Sequence, residues 1–184
     1  MRLNRSGLIA IAVCLASIPA GAREQRFSVP GHGSLLLSAP KGWRVETRPL
    51  QVPPSVSLRF RPASGDSFSI QVTSVWLDPA RRPDVTPDSM KKQVQTSAEA
   101  SLPKAVEKKV AVVKLRGKHA IGYYFSLTDQ GRSAGPRNYK YMTQGSFLTG
   151  PLLIVFTVLR RNPRGAEKEQ ALRAFANAIY SPAQ

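Results

Sequence analysis

LLIVFTVL, residues 152–159, carries apolar side chains on both of its alternating faces. A half-exposed strand alternates apolar with polar, whereas a run like this lies mid-sheet with both sides covered. Gly150-Pro151 supplies a turn just before it, and residues 138–148 ahead of that turn read as another strand. Further back, 118–127 and 106–115 are strand-like too, with Gly117 at their junction and a loop over 129–137. Parallel neighbours need long crossovers, so consecutive strands with short connections form an antiparallel meander. The expected fold is α+β, not a doubly wound parallel sheet.

The flanking segments fill in the layers. After a polar lead over 23–30, Gly31-His32-Gly33 marks a turn and Ser34–Ser38 a short strand. Trp43–Thr47 reads as extended, but Pro49, Pro53 and Pro54 bar residues 48–54 from a central strand. Val56, Leu58 and Phe60 alternate with Ser57, Arg59 and Arg61; Phe68, Ile70 and Val72 alternate with Ser69, Gln71 and Thr73. Both stretches are half-buried strands, joined by hairpin residues at 62–66. Thr86-Pro87-Asp88 starts a helix, with Thr as cap, Pro at the first position and Asp near the positive dipole end. Met90, Val94, Ala98 and Leu102 form its apolar stripe. A last helix is expected over Glu167–Tyr180, with Leu172, Phe175 and Ile179 inward. The sum is one domain over 31–181: an antiparallel β-sheet sandwiched between helices.

The N-terminus has a different character. Arg2 and Arg5 precede an apolar run over 8–16; Pro19 breaks it and Ala20-Gly21-Ala22 are small. This is the layout of a secretory signal peptide over 1–22, cut between Ala22 and Arg23, and too short to span a bilayer. Val13 before Cys14 lacks the small residue that a lipid-anchored variant needs. Cleavage removes Cys14, the one cysteine, so no disulfide, thiolate metal site or cysteine nucleophile is expected in the mature chain. The style of the signal points to the bacterial periplasm. The net charge of +16 falls only by the two signal-peptide arginines. Such a field attracts anions. Export makes nucleic acid the wrong partner and leaves anionic lipid, polysaccharide or an acidic protein face.

Signals of chemistry are sparse. Gly131-Arg132-Ser133-Ala134-Gly135 matches the G-x-S-x-G of serine hydrolases, which needs a sharp strand-to-helix turn. Here Pro136 and a strand follow, so the glycines read as turn residues and Ser133 as a loop serine. A triad would have to recruit His119 and Asp129. His32 and His119 have no partners at ligand spacing, and no phosphate or dinucleotide loop occurs. No cofactor, metal or catalytic residue is expected. One feature remains. Tyr139, Tyr141 and Phe147 alternate along one strand, Ile121, Tyr123 and Phe125 share a face of the preceding one, and Arg132, Arg137 and Lys140 surround the loop between. The aromatics suit a layer beneath a helix. With the cations they also suit a binding face over Tyr123, Arg132, Arg137, Tyr139, Lys140 and Tyr141. Rival basic patches are Arg59 with Arg61, Lys114 with Arg116 and Lys118, and Arg160 with Arg161.

Ser38-Ala39-Pro40-Lys41-Gly42-Trp43 resembles the P-x-G-W turn that opens domains of the PsbP-like superfamily, which includes extrinsic photosystem II subunits and DcrB-like bacterial envelope proteins. Gly122-Tyr123-Tyr124-Phe125 and Tyr141-Met142-Thr143-Gln144-Gly145, followed by the strand reaching Phe156-Thr157, resemble that superfamily's later core strands. The order of elements is similar over most of 30–180. The resemblance implies a sheet between helices and a role in binding or assembly. The expectation is a non-enzymatic exported factor acting on an envelope protein or membrane complex. The alternative is a basic-surface binder of anionic envelope lipid or polysaccharide, and a more remote one a serine hydrolase using the Gly131–Gly135 loop.

Overall fold

A computed structural model of the chain describes residues 22–50, 55–80, 82–131, 133 and 138–183. The strands are β1 (Ala22–Ser28), β2 (Ser34–Pro40), β3 (Trp43–Pro49), β4 (Ser55–Pro62) and β5 (Phe68–Trp76), followed by helix α1 (Pro87–Ser101). Then come β6 (Val113–Arg116), β7 (Ala120–Thr128), β8 (Tyr141–Thr149), β9 (Leu152–Arg160), α2 (Glu167–Ala176) and β10 (Ile179–Ser181). Seven strands form one antiparallel sheet in the order β3-β4-β5-β9-β8-β7-β6. The expected meander is its β6–β9 half, and β9 lies in its centre between β5 and β8.

A second, three-stranded sheet in the order β1-β2-β10 was not foreseen. The polar lead at 23–30 is its first strand: Arg23 to Ser28 pair with Ala39 to Ser34, and Phe27 is buried while most of its neighbours face water. The last helix is shorter than expected. It stops at Ala176, and Ile179 instead pairs with Leu36. The stretch 106–115 is likewise mostly irregular, with a strand only at its end.

The two faces of the large sheet are covered differently. Val56, Leu58 and Phe60 of β4, Phe68, Ile70 and Val72 of β5, and Ile154, Phe156 and Val158 of β9 point to one side. There they meet Leu35 and Leu37 of β2 and Ala171 and Phe175 of α2 in the main core. Phe175 packs 4.6 Å from the Phe156 ring and 5.6 Å from Phe147. The opposite face carries α1, whose Met90, Val94 and Ala98 bury Tyr123, Phe125 and Leu127 of β7. A capping box starts this helix: Thr86 Oγ1 accepts from the Ser89 amide at 3.1 Å, and Ser89 Oγ from the Thr86 amide at 2.9 Å. Helices therefore stand on both sides of the antiparallel sheet.

α1 packs mainly on β7 and β8, and Leu153 of β9 joins the cluster beneath it. Among the described residues no helix covers the same face of β9, β5, β4 and β3 beside it: Val155 and Gln71 are exposed, whereas Ser69 is buried and accepts from Arg59 Nε at 3.3 Å. The expected double cover of β9 is thus one-sided in part: Ile154, Phe156 and Val158 are buried, yet Val155 is 40% exposed.

A candidate binding cleft at one end of the sheet

The cleft is built where β7 ends and β8 begins. After α1 the chain makes a short 3₁₀ turn over Leu102–Lys104 and then runs against the end of β7. Ala105 bridges Asp129, the Val106 amide donates to Thr128 O at 2.8 Å, and the Gln130 amide donates to Lys104 O at 2.9 Å. Glu107 fastens this segment, its Oε2 accepting from the Thr128 amide at 2.9 Å. Burial pushes the Glu107 carboxyl up, but hydrogen bonds from Thr128 outweigh it and hold the group below its ordinary 4.5.

The result is a cleft of about 330 Å³ with Leu127, Met142, Leu159 and Ala105 on its apolar side. Lys104, Lys140, Asp129 and Tyr139 line it as well. Asp129 also organises the loop, its Oδ1 accepting from the Gly131 amide at 2.9 Å. The guanidinium of Arg161 lies 5.7 Å over the Tyr139 ring, within the range of a cation–π contact. The same Arg161 is 3.6 Å from Asp66, which ties this corner to the hairpin between β4 and β5. Leu127, Met142 and Leu159 beside two cations and the one carboxylate of Asp129 can take an apolar group next to a polar one.

The structure brings together only part of the expected binding face. Tyr139 and Lys140 line the cleft. Tyr123 does not: it is 7% exposed and lies in the cluster beneath α1. Tyr141 belongs to the other side of the sheet, where Arg160 sits 5.9 Å over its ring. The register explains the separation. Gly122 pairs with Phe147 and Tyr124 with Gly145, so Tyr123 and Phe125 share a face with Ser146 and Gln144, not with Phe147 and Tyr141. Arg132 and Arg137 lie outside the described residues.

The other candidates resolve more simply. His119 precedes β7 and Asp129 follows it, so nine strand residues, about 30 Å of chain, separate them. No triad with Ser133 is assembled from that pair. His32 stacks on Trp76 with ring centroids 3.9 Å apart, as a packing contact. Arg160 is 7% exposed, and its Nη1 donates to the carbonyls of Asn162, Pro163 and Gly165 at 3.1–3.3 Å, so it clamps a connection rather than forming a surface patch. Among the described residues no group of three His, Cys, Asp or Glu side chains is placed to hold a metal ion, and no helix is long and apolar enough to cross a membrane.

Sequence reasoning missed Lys104, Asp129 as a loop organiser, and the apolar trio Leu127, Met142 and Leu159. Met142 and Leu159 do pair across β8 and β9, but only the register makes them neighbours.

No protein-family model matches this sequence, and no curated protein matches it. Solved structures do resemble it. One is the solution structure of cyanobacterial PsbP (CyanoP) from Synechocystis, 14% identical, with 97% of this chain and 99% of that chain covered at a TM-score of 0.52. Another is a crystal structure from Bacteroides thetaiotaomicron, 12% identical, with a TM-score of 0.47; 80% of this chain spans 45% of that one. The chain has a PsbP-like fold.

Proposed function

We propose that this chain is a non-enzymatic binding or assembly factor, exported by a signal peptide over 1–22 and acting in the periplasm on an envelope protein or membrane complex. The observation that supports it most is the cleft of about 330 Å³, apolar within and flanked by Lys104 and Lys140. Its size suits the insertion of one or two side chains or a short chain end. Polar groups around it are engaged in building the loop: Glu107 holds Thr128, and Asp129 holds Gly131. That arrangement stiffens a rim and does not aim a nucleophile. The implied kinship with PsbP-like proteins points the same way.

A second reading is supported by the net charge of +16. In it the protein coats an anionic lipid or polysaccharide through diffuse attraction, which needs no cleft and weakens steeply with salt. In-cell crosslinking of the tagged protein, followed by a high-salt wash and mass spectrometry, separates the two. One dominant envelope protein, lost in the Lys104→Glu/Lys140→Glu variant, supports the first reading. Recovery of lipid or glycan alone, released as salt rises, overturns it in favour of the second.

A further inference from the structure

The half of the large sheet that α1 leaves uncovered is graded in chemistry. Next to α1, Val155 of β9 is 40% exposed, while Leu153 is half-buried against the cluster beneath α1 and Leu159 half-buried at the cleft; Val75 of β5 pairs with Leu153. The middle is neutral, with Thr157 of β9 paired to Gln71 and Val155 to Thr73 of β5. The outer strands are cationic. Arg59 and Arg61 of β4 lie on this face because Leu58 and Phe60 point into the core, and the register sets Arg44 opposite Arg61 and Arg48 opposite Ser57. Glu46, opposite Arg59, is the one acid among them. Among the described residues the ion pairs are Arg161–Asp66 and Lys168–Glu169, so none of these four arginines is matched to a carboxylate.

Spacing says what fits. Packed helices lie 8–10 Å apart, about two strand spacings. A second helix laid beside α1 would therefore stand over β9 and β5, its base on Val155 and its far flank above Arg59 and Arg61. The side of α1 that faces this trough offers Gln93 and Ser97, which can pack without charge repulsion. Residues 1–21 of the chain itself contain no Asp or Glu and cannot complement the arginines. A second copy of a chain carrying +16 is repelled.

We infer that this trough docks an amphipathic helix of an acidic partner protein, apolar on the face that meets Val155 and Val75 and rich in Asp or Glu on the flank that meets Arg48, Arg59 and Arg61. The inference rests on the binding role proposed above and names the kind of partner. The probe is an 18-residue helical peptide with Leu and Ala on one face and Glu on the adjacent flank, titrated onto the full chain by fluorescence anisotropy. Its scrambled isomer has the same charge and no apolar face. The designed peptide is expected to bind at least about tenfold tighter than the isomer. Arg59→Glu/Arg61→Glu and, separately, Val155→Asp each weaken it about tenfold or more, while Lys114→Glu/Lys118→Glu, on β6 and in the turn after it, stays within about twofold. Circular dichroism of each variant confirms the fold, and the exposure of Val155 makes its replacement tolerable. Equal binding of both peptides, or unchanged affinity in both trough variants, overturns the inference. Displacement of the peptide by phosphatidylglycerol vesicles with equal loss in the trough variants overturns it too, because the face would then be a lipid surface. A crosslinked envelope partner that persists in Arg59→Glu/Arg61→Glu also overturns this inference and leaves the binding role itself intact.

Discussion

Replacing Tyr123 by alanine tests whether this residue supports the core or meets a partner. Its ring lies at 7% exposure among Met90, Val94, Ala98, Phe125 and Leu127, the cluster that fastens α1 to the sheet. A buried aromatic removes about 150–250 Å² from water. At about 25 cal/mol per Å² this is about 4–6 kcal/mol, an upper bound because the unfolded chain already hides part of that area. The alanine Cβ keeps some of the contact, and a phenol is less apolar than a benzyl group. We expect Tyr123→Ala to cost about 3–4 kcal/mol, at the lower part of the range for large aromatic truncations. With a urea slope of about 2 kcal/mol per molar, the midpoint falls by about 1.5–2 M. Tyr139→Ala is the comparison. Tyr139 is half-buried at the cleft with Arg161 above its ring, and its loss should cost about 1 kcal/mol or less. Urea unfolding followed by far-ultraviolet circular dichroism measures both. A midpoint shift for Tyr123→Ala no larger than that for Tyr139→Ala would refute the placement of Tyr123 beneath α1 and return it to the binding face.

Three further outcomes follow from single contacts. Glu107 titrates below 4.5 in the folded chain, so its contribution is full above that value and disappears as pH falls through the lowered one. Glu107→Gln should therefore be less stable than the parent at pH 7, by less than about 1 kcal/mol because the carboxylate is partly solvated, and the difference should vanish as pH falls below the lowered value, in parallel urea titrations. Arg160→Met removes the donor shared by three carbonyls in the connection to α2, and a loss of about 2 kcal/mol is expected by thermal melting. Gly150 has φ +56° in the β8–β9 turn, and a Cβ there would meet the Tyr180 ring at 2.9–3.1 Å. Gly150→Ala should cost about 1–3 kcal/mol, and an unchanged melting temperature would mean the turn rearranges freely.

How far the candidate site could be foreseen is clearest at the β7–β8 hairpin. The alternation Ile121, Tyr123, Phe125 is visible in one strand, and Tyr141 with Phe147 in the next. Whether these sets meet on one face depends on the cross-strand register. A slip of one residue in that register reverses every side chain. Gly122 pairs with Phe147, so the aromatics divide between the α1 layer and the α2 layer. A similar ambiguity affects Ile179. It continues the helical spacing of Leu172 and Phe175, and only its pairing with Leu36 reveals a strand. β1 has too little apolar content to signal itself, since an edge strand buries little beyond Phe27.

Local signals sufficed where a residue's role depends on near neighbours. The Thr86 cap, the hairpin at 62–66, the strands around Leu58 and Ile70, and the central run at 152–159 could all be read from spacing and turn chemistry. With them came the α+β class and the antiparallel order of β6 to β9. Tertiary structure alone decided which half of a sheet face α1 covers, and hence that Val155 stands exposed and that the half-buried arginines of β4 share its face. It also decided that Lys104, Leu127, Met142 and Leu159, from four separate elements, share one cleft. Those are long-range pairings, and periodicity within a segment says which side is apolar without saying what will come to cover it.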